Sequence, residues 1–263
     1  MRLSLINYFG GKHYLLEEIL KRLRYDVDLY IEPFGGSFKV LLNKEPHKRE
    51  IINDINEKII TLFQVIRDNL DEFLERLDKF LLCEKEFYDV KKRLKENKYT
   101  NKIDKAVDVY LSNRLSFGGF GKSFGIDFTK DLYKKAFENN FKEIRDRLKK
   151  VLILNRDYKY LLEALLKRNL KAMIYLDPPY IDIKEYEFNF NLEEHYRLSD
   201  YLHKLYDKHY ILLSYKEHEL LEKLYPRDKW NYTEIECWKF SKYIPDEPER
   251  KKEKYKEYLI TNY

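Results

Sequence analysis

Short apolar runs alternate with amphipathic stretches along this chain, and the two patterns predict different elements. Apolar runs of strand length lie near residues 28–32, 49–54, 151–154, 173–176 and 210–215. In the stretches between them, apolar residues recur at helical spacing, as around 15–23 and 198–206. The segments 233–240 and 258–261 predict closing, antiparallel strands. Strands that alternate with helices predict an α/β fold with a mainly parallel sheet.

The strand pattern is absent between Asp54 and Val151. Apolar spacing there predicts helices over 58–80, 84–96 and 105–115. We therefore divide the chain into an α/β domain formed by 1–56 and 151–263 and a helical insertion over 57–150. The charged, proline-bearing stretch 243–256 predicts an exposed loop.

Composition narrows the functional classes only slightly. The 263 residues include 51 Lys and Arg against 46 Asp and Glu, and the net charge of +5 permits a nucleic-acid partner without demanding one. No apolar segment reaches the length of a membrane span and no signal-peptide pattern is present, so we expect a soluble, cytoplasmic protein. Cys83 and Cys237 are the only cysteines, and the six histidines lack ligand spacing, so no metal is expected.

The segment Asp177-Pro178-Pro179-Tyr180, which follows the apolar run 173–176, combines groups that suit an amine on a flat ring. The exocyclic amine of adenine is a poor nucleophile because its lone pair is delocalised into the ring. The Asp177 carboxylate and the Pro178 carbonyl can each accept one N–H, while Tyr180 stacks on the base. A base inside a duplex must be flipped out to reach such a site.

An ordinary strand-to-turn connection with Asp as a cap would also explain these four residues. The rest of the chain therefore has to decide between the two interpretations.

All eight glycines fall in three clusters: 10–11, 35–36 and 118–125.

The second glycine cluster lies between a predicted strand and a predicted helix. A second strand follows and ends at Asp54, 18 residues beyond Gly36, which is close to the spacing at which an acid meets ribose hydroxyls in nucleotide-binding α/β folds. The absence of G-x-G-x-x-G argues against a nicotinamide dinucleotide site, so an oxidoreductase is a weak alternative.

Together these segments resemble the Dam-like class of DNA adenine N6-methyltransferases, the alpha group of the D12 class. The reaction-centre segment, the stretch Glu32-Pro33-Phe34-Gly35-Gly36-Ser37 and the aromatic-Gly-Gly-Lys element at Tyr8 to Lys12 carry the resemblance, in the order of the family. The resemblance implies a class I S-adenosylmethionine-dependent methyltransferase fold, Rossmann-like, with a helical target-recognition insertion.

The resemblance also implies roles for individual residues. The catalytic residues would be Asp177, Pro178 and Tyr180. S-adenosylmethionine would be bound by the glycine turn, by Asp54 at its ribose and by Asp157 at its adenine amino group. The complete predicted cofactor set is Tyr8, Lys12, Glu32, Phe34, Gly35, Gly36, Ser37, Asp54 and Asp157.

The same resemblance places DNA recognition in the glycine-rich segment after the predicted helix 105–115. Its candidate DNA-binding residues are Asn113, Arg114, Gly119 and Lys122. Alternating Gly and Phe residues can form a loop that wedges or stacks against bases. Packing of these phenylalanines on the helices is the alternative. The Arg-Tyr-Asn stretch of the GATC-methylating members is missing, which argues against GATC as the target.

We therefore expect an enzyme that transfers a methyl group from S-adenosylmethionine to the N6 amine of a flipped adenine in a specific duplex DNA sequence. Methylation of RNA adenine or of DNA cytosine N4, and a non-catalytic nucleic-acid-binding protein with a retained cofactor pocket, are the alternatives. The expected partners are duplex DNA and a cognate restriction endonuclease. We expect a monomer or a weak dimer.

Overall fold

The computed structural model describes residues 2–7, 15–119, 121–125, 131, 137–182, 190–240 and 252–263. By backbone contacts the chain forms two compact units. The first unit comprises Met1–Lys12 and Gly35–Asp157, and the second unit comprises His13–Phe34 and Tyr158–Tyr263. The predicted boundaries of the insertion at 57 and 150 stay a prediction.

Five of the described strands coincide with the apolar runs of the sequence, and the last two contain the segments predicted as closing strands. They are β1 (Leu29–Glu32), β2 (Arg49–Asn53), β3 (Val151–Leu154), β4 (Ala172–Leu176), β5 (Tyr210–Lys216), β6 (Asn231–Phe240) and β7 (Lys252–Thr261).

The described helices connect these strands and fill the long interval between β2 and β3. They are α1 (Leu16–Arg22), α2 (Lys39–Asn43), α3 (Glu57–Asp68), α4 (Leu70–Asp78), α5 (Glu84–Glu96), α6 (Lys102–Arg114), α7 (Phe141–Leu148), α8 (Tyr158–Leu166), α9 (Leu192–Leu205) and α10 (Leu221–Leu224). Among the described residues, no helix is both long and apolar enough to cross a membrane.

Strands of the second unit are ordered β1-β4-β5-β7-β6. β1, β4 and β5 run parallel, whereas β7 is antiparallel to both β5 and β6. Every residue of β4 is buried, as expected for a central strand covered on both faces. The antiparallel orientation predicted for the last two strands is therefore confirmed.

In the first unit, β2 and β3 form a parallel pair with Glu50 opposite Val151 and Asn53 opposite Leu154. The helices of this unit pack through buried aromatic rings. Phe73, Tyr110 and Phe141, from α4, α6 and α7, lie with ring centroids 5.4–5.7 Å apart. The parallel pairs in both units confirm the α/β class and the mainly parallel sheet.

Two sequence-based boundaries were wrong. The single helix predicted over 58–80 is two helices, because Asn69 has non-helical backbone angles (φ −136°, ψ 38°). Asn lowers helix stability through side-chain bonds that compete with the backbone ladder. The loop predicted over 243–256 is also too long, since 252–256 belong to β7 and pair with β6. The Lys and Glu residues of this stretch lack the apolar pattern that predicts a strand. The stretch is a strand because it pairs with β6 along its length.

Candidate active site

Asp177 leaves the carboxyl end of β4, where the neighbouring strand fixes its surroundings. The parallel register pairs Tyr175 with Leu212 and Leu176 with Leu213. One further step along that register brings Asp177 to Ser214, whose hydroxyl donates to the Asp177 carboxylate over 2.9 Å (Oγ to Oδ1). The Asp177 carboxylate is therefore held in one orientation.

A second hydroxyl lies behind Ser214. The Tyr175 hydroxyl is 3.1 Å from Ser214 Oγ, and both side chains are buried. Burial raises the pKa of Tyr175 well above its usual value, so this phenol keeps its proton. Because the Ser214 proton is directed to Asp177, Tyr175 is the donor to Ser214. The order of donation is thus Tyr175 to Ser214 to Asp177.

Tyr180, the last residue of the segment, is only 6% exposed. Its hydroxyl donates to Glu257 Oε2 over 2.8 Å, and its ring centroid lies 6.0 Å from that of Tyr215. Burial raises the pKa of Tyr180 well above its usual value, and the nearby carboxylates of Asp177 and Glu257 act in the same direction. Tyr180 is therefore a fixed, protonated phenol. Pro178 is also buried.

Aromatic rings line the second unit next to this segment. Phe34 lies 5.0 Å from Tyr158 and 5.6 Å from Phe190, centroid to centroid. Phe190 meets the His195 ring edge-on at 4.7 Å, and His195 Nδ1 lies 2.9 Å from the Tyr215 hydroxyl. Burial lowers the pKa of His195 to about 4, so the imidazole is neutral near pH 7. Such a cluster provides apolar faces for a flat ligand.

The glycine turn belongs to the first unit and is held by Asp54. The Gly36 amide donates to Asp54 Oδ2 over 2.7 Å, and the Asn56 amide donates to Oδ1 over 2.8 Å. Gly36 has a positive φ of 52°, a conformation that glycine adopts at little cost. Burial raises the pKa of the Asp54 carboxyl, against the opposing effect of the backbone N–H groups of Asn56 and Gly36.

Gly35 is required for a steric reason. A Cβ built on Gly35 would lie 1.6 Å from Cε1 of Phe38. Phe38 itself has left-handed backbone angles (φ 51°, ψ 31°) and is completely buried, with its ring edge-on to Phe63 at 4.7 Å. The ring of Phe38 thus occupies the space that a side chain at position 35 would need, and the turn stores backbone strain at Phe38.

Side-chain amides join the carboxyl ends of β2 and β3. Asn53 and Arg156 exchange two hydrogen bonds of 2.9 Å, from Asn53 Nδ2 to the Arg156 carbonyl and from the Arg156 amide to Asn53 Oδ1. Asn155 donates to the carbonyl of Asp54 over 2.8 Å. These bonds fix the relative positions of the backbone segments that carry Asp54 and Asp157. Asp157 itself is exposed and directly precedes α8.

Of the remaining predicted cofactor residues, two are buried and two lie outside the described residues. Glu32, at the end of β1, is buried and accepts a hydrogen bond of 2.9 Å from the Tyr30 hydroxyl, while Ser37 is buried in the glycine turn. Tyr8 and Lys12 lie outside the described residues.

Asn113 anchors the predicted recognition loop to the start of the chain. Asn113 Oδ1 accepts from the Asn7 amide over 2.8 Å, and Asn113 Nδ2 donates to the carbonyls of Asn7 and Gly119 over 2.6 and 2.8 Å. The loop closes through backbone bonds from Phe117 to Ser123 and from Gly125 to Leu115. Asn113 therefore orders this loop from inside.

The other predicted DNA-binding residues differ in exposure. Gly119 has a φ of 81°, and a Cβ there would lie 2.6 Å from Cβ of Asn7. Lys122 is exposed, whereas Arg114 is half-buried and hydrogen-bonded with the Tyr110 hydroxyl. Phe117 is 65% exposed at the turn of the loop. The alternative that all phenylalanines of this segment pack on the helices is wrong for Phe117, although Phe124 does pack against Phe87 at 5.5 Å.

The structure thus groups the predicted residues by unit. The second unit holds the reaction-centre residues together with Glu32 and Phe34, and the first unit holds the glycine turn, Asp54, Asp157 and the loop anchored by Asn113. Four partners of these residues were not predicted from the sequence: Asn7, Tyr175, His195 and Glu257. The position of Glu257 directly before the apolar residues Tyr258 to Ile260 was a signal for this carboxylate, whereas contacts between distant positions left no local signal for the others.

Residues 8–239 match the family model for D12 class N6 adenine-specific DNA methyltransferases. Type II methyltransferase M.MjaIII of Methanocaldococcus jannaschii is 26% identical over 231 residues, which cover 76% of this chain and 79% of that protein. The DNA adenine methylase of Escherichia coli K12 is 24% identical over 249 residues, covering 88% and 87% of the two chains. Among solved structures, precorrin-6y C5,15-methyltransferase from Geobacter metallireducens GS-15 gives a TM-score of 0.44 at 12% identity, covering 96% of this chain and 88% of that one.

Proposed function

Because the chain belongs to the D12 class of N6 adenine-specific DNA methyltransferases, we propose that Asp177, Pro178 and Tyr180 form its reaction centre. The reaction is transfer of a methyl group from S-adenosylmethionine to the N6 amine of adenine in DNA. We propose further that the target adenine is flipped out of the duplex, because a stacked and paired amine cannot reach a half-buried carboxylate.

The orientation of Asp177 is the observation that carries this proposal. Its carboxylate receives the Ser214 hydroxyl, which is itself backed by Tyr175. A purely structural cap at a strand end would not need two buried hydroxyls in series. The arrangement instead favours an acceptor whose direction must be set before substrate binds.

In the proposed step, the Asp177 carboxylate and the Pro178 carbonyl each accept one N–H of the adenine amine. These two bonds draw the nitrogen toward tetrahedral geometry and concentrate its lone pair on the side facing the methyl donor. Tyr180 holds the base by stacking, so that attack proceeds in line. As the N–C bond forms, one amine proton passes to Asp177.

When bound, S-adenosylmethionine supplies a methyl group on a positively charged sulfur and leaves as a neutral thioether. The chain's own residues fit this cofactor. Gly36 has no side chain and a positive φ, so its backbone can lie close to the cofactor, and we assign Gly35, Glu32, Phe34 and Ser37 to the same site. We assign Asp54, whose carboxylate already accepts hydrogen bonds from the amides of Gly36 and Asn56, to the ribose hydroxyls. We assign Asp157 to the adenine amino group, and Tyr8 and Lys12 to the methionine end.

We propose that the loop anchored by Asn113 reads duplex DNA, with Arg114, Gly119 and Lys122 near the bases or phosphates. Exposed Phe117 supports a wedging or stacking role for this loop. The family is adenine-specific and DNA-specific, which favours this substrate over RNA adenine and cytosine N4. A relative named as a Type II methyltransferase supports a cognate restriction endonuclease as partner. A cytoplasmic location and a monomeric or weakly dimeric state stay predictions.

Replacement of the proposed acceptor tests the reaction centre. Asp177→Asn should lower transfer of labelled methyl groups into unmethylated genomic DNA by roughly 100-fold to 10,000-fold, while calorimetric titration shows near-normal cofactor binding. Asp182→Asn is the matched control, because Asp182 is exposed and lies five residues further on. Undiminished transfer by Asp177→Asn would exclude the proposed role.

The substrate is tested separately. Genomic DNA from cells that express the protein, sequenced with a modified-base readout, should show N6-methyladenine in one sequence context. Equal or faster methylation of structured RNA in a competition assay, or N4-methylcytosine in the genomic DNA, would contradict the assignment. Cofactor binding without methylation of any DNA would instead indicate a non-catalytic binding protein.

A further inference from the structure

Tyr180 of the reaction centre is tied to a residue 77 positions further along the chain. Its hydroxyl donates to Glu257 Oε2 over 2.8 Å. The two side chains are 6% and 7% exposed, so this bond is shielded from competing water. A shielded hydrogen bond to a charged acceptor is among the stronger ones found in proteins.

Glu257 lies where β7 begins to pair with strands on both of its edges. Its backbone is opposite Lys216 of β5 on one side and opposite Ile235 of β6 on the other. A strand held on both edges has little freedom to shift. The acceptor for the Tyr180 hydroxyl is therefore a fixed point of the sheet.

A buried carboxylate at this position is costly to the fold. The neighbouring residues Tyr258, Leu259 and Ile260 are buried as well, and desolvating a charge is unfavourable unless it is compensated. Compensation includes hydrogen bonds from two phenols, since the Tyr255 hydroxyl also hydrogen-bonds with Glu257. The Glu257 carboxylate thus belongs to a buried hydrogen-bonded cluster.

The Glu257 carboxylate sets the orientation of the Tyr180 hydroxyl. Both Tyr180 and its acceptor are buried, and burial raises the pKa of Tyr180 well above its usual value. The phenol is therefore the donor, and Glu257 Oε2 is the acceptor. This one-way bond fixes the position of the hydroxyl, and with it the tilt of the ring that leads back to the Asp177 segment.

We propose that Glu257 is a positioning residue for methyl transfer, which sets the ring plane of Tyr180 against which the target adenine stacks. The proposal rests on the proposed function, in which Tyr180 holds the flipped base. Because the Tyr180 ring is fixed before the base binds, less conformational entropy is lost on binding.

Steady-state kinetics with unmethylated genomic DNA as substrate test this role. Glu257→Ala should lower kcat/KM for DNA by about tenfold to a hundredfold, the loss expected for one hydrogen bond to a charged group. KM for S-adenosylmethionine should stay within about twofold. Glu257→Gln, which keeps the volume and an acceptor oxygen but loses the charge, should recover only part of the loss.

A double-mutant cycle separates positioning from general structural damage. Tyr180→Phe keeps the ring but removes the donor, so Glu257→Ala should cause little further loss in that background. An equal loss from Glu257→Ala in both backgrounds would overturn the proposal. Full activity of a folded Glu257→Ala variant would overturn it as well.

Two more variants keep the outcome interpretable. Tyr255→Phe removes the other hydroxyl from Glu257 and should leave kcat/KM unchanged; a tenfold loss there would assign the effect to packing of β7 instead. If Glu257→Ala fails to fold by circular dichroism, the cycle is run with Glu257→Gln, and additive losses contradict the proposal. Failure of the proposed function is recognised separately, because Tyr180→Ala would then leave methyl transfer unchanged.

Discussion

Ser214 Oγ lies 2.9 Å from Asp177 Oδ1, and this bond joins the carboxyl ends of two neighbouring parallel strands, β4 and β5. The serine hydroxyl accepts a hydrogen bond from Tyr175 and donates one to the Asp177 carboxylate. The orientation of the proposed acceptor is therefore set by the sheet rather than by a mobile loop.

Removal of the Ser214 hydroxyl should impair the chemical step. We expect Ser214→Ala to lower kcat by about tenfold, because the Asp177 carboxylate loses one orienting hydrogen bond. KM for S-adenosylmethionine should be unchanged in steady-state assays. Ser199→Ala is the matched control, since Ser199 is buried and bonds only the Leu224 carbonyl among the partners described for it. An equal fall in kcat for both variants would attribute the effect to stability.

Gly35→Ala should destabilise the protein and weaken cofactor binding. The new Cβ would overlap the buried ring of Phe38, which is confined by Phe63. Overpacking of this kind costs about 1–3 kcal/mol of unfolding free energy, measurable by urea denaturation. In a Phe38→Gly background the space is vacant, so Gly35→Ala should cost much less there. Equal costs in the two backgrounds would show that Phe38 is not the obstacle.

Asn113→Ala should weaken DNA binding without affecting the cofactor. The variant loses the bonds to the backbone of Asn7 and Gly119, so the recognition loop has to be ordered during DNA binding. We expect KM for DNA to rise by roughly tenfold or more. Asn101→Ala, which removes the cap of the same helix, should affect stability only. A change in cofactor affinity equal to the change for DNA would contradict this assignment.

Acid should destabilise the fold through His195. Its pKa is lowered to about 4 by burial, below the ordinary value near 6.5, so between these values the unfolded chain binds the proton and the folded chain does not. The contribution of His195 to the free energy of unfolding is therefore present in full above about pH 6.5, and it is lost as the pH falls toward 4. At pH 5 the loss from this group is on the order of 1–2 kcal/mol.

The pH effect is measured with urea midpoints at pH 7 and pH 5. His195→Asn, which retains a polar partner for the Tyr215 hydroxyl, should show a smaller difference between the two pH values than the native protein. The pKa of His209 is also lowered to about 4. Because both proteins contain His209, its effect on the pH dependence cancels when they are compared. Identical differences for the two proteins would exclude His195 as the source.

Local patterns were sufficient for much of the fold. Apolar runs predicted five of the seven described strands, because a buried strand shows its burial in consecutive residues, and the segments 233–240 and 258–261 predicted the other two. They failed at Asn69, where a helix breaks, and at 252–256, where charged residues form a strand. In both places the outcome depends on side-chain and strand pairing that no local pattern reports.

The proposed reaction centre, the glycine turn and the family follow from the sequence by itself, because each rests on contiguous segments whose chemistry follows from residue type and order. Only the tertiary structure decided which residues hold these segments in place. Ser214 meets Asp177, Glu257 meets Tyr180, and Asn113 meets Asn7 through register and packing between positions 37 to 106 residues apart. Such pairs are selected by burial and hydrogen bonding in the folded chain, where an unsatisfied polar group is costly, and sequence spacing carries no trace of them.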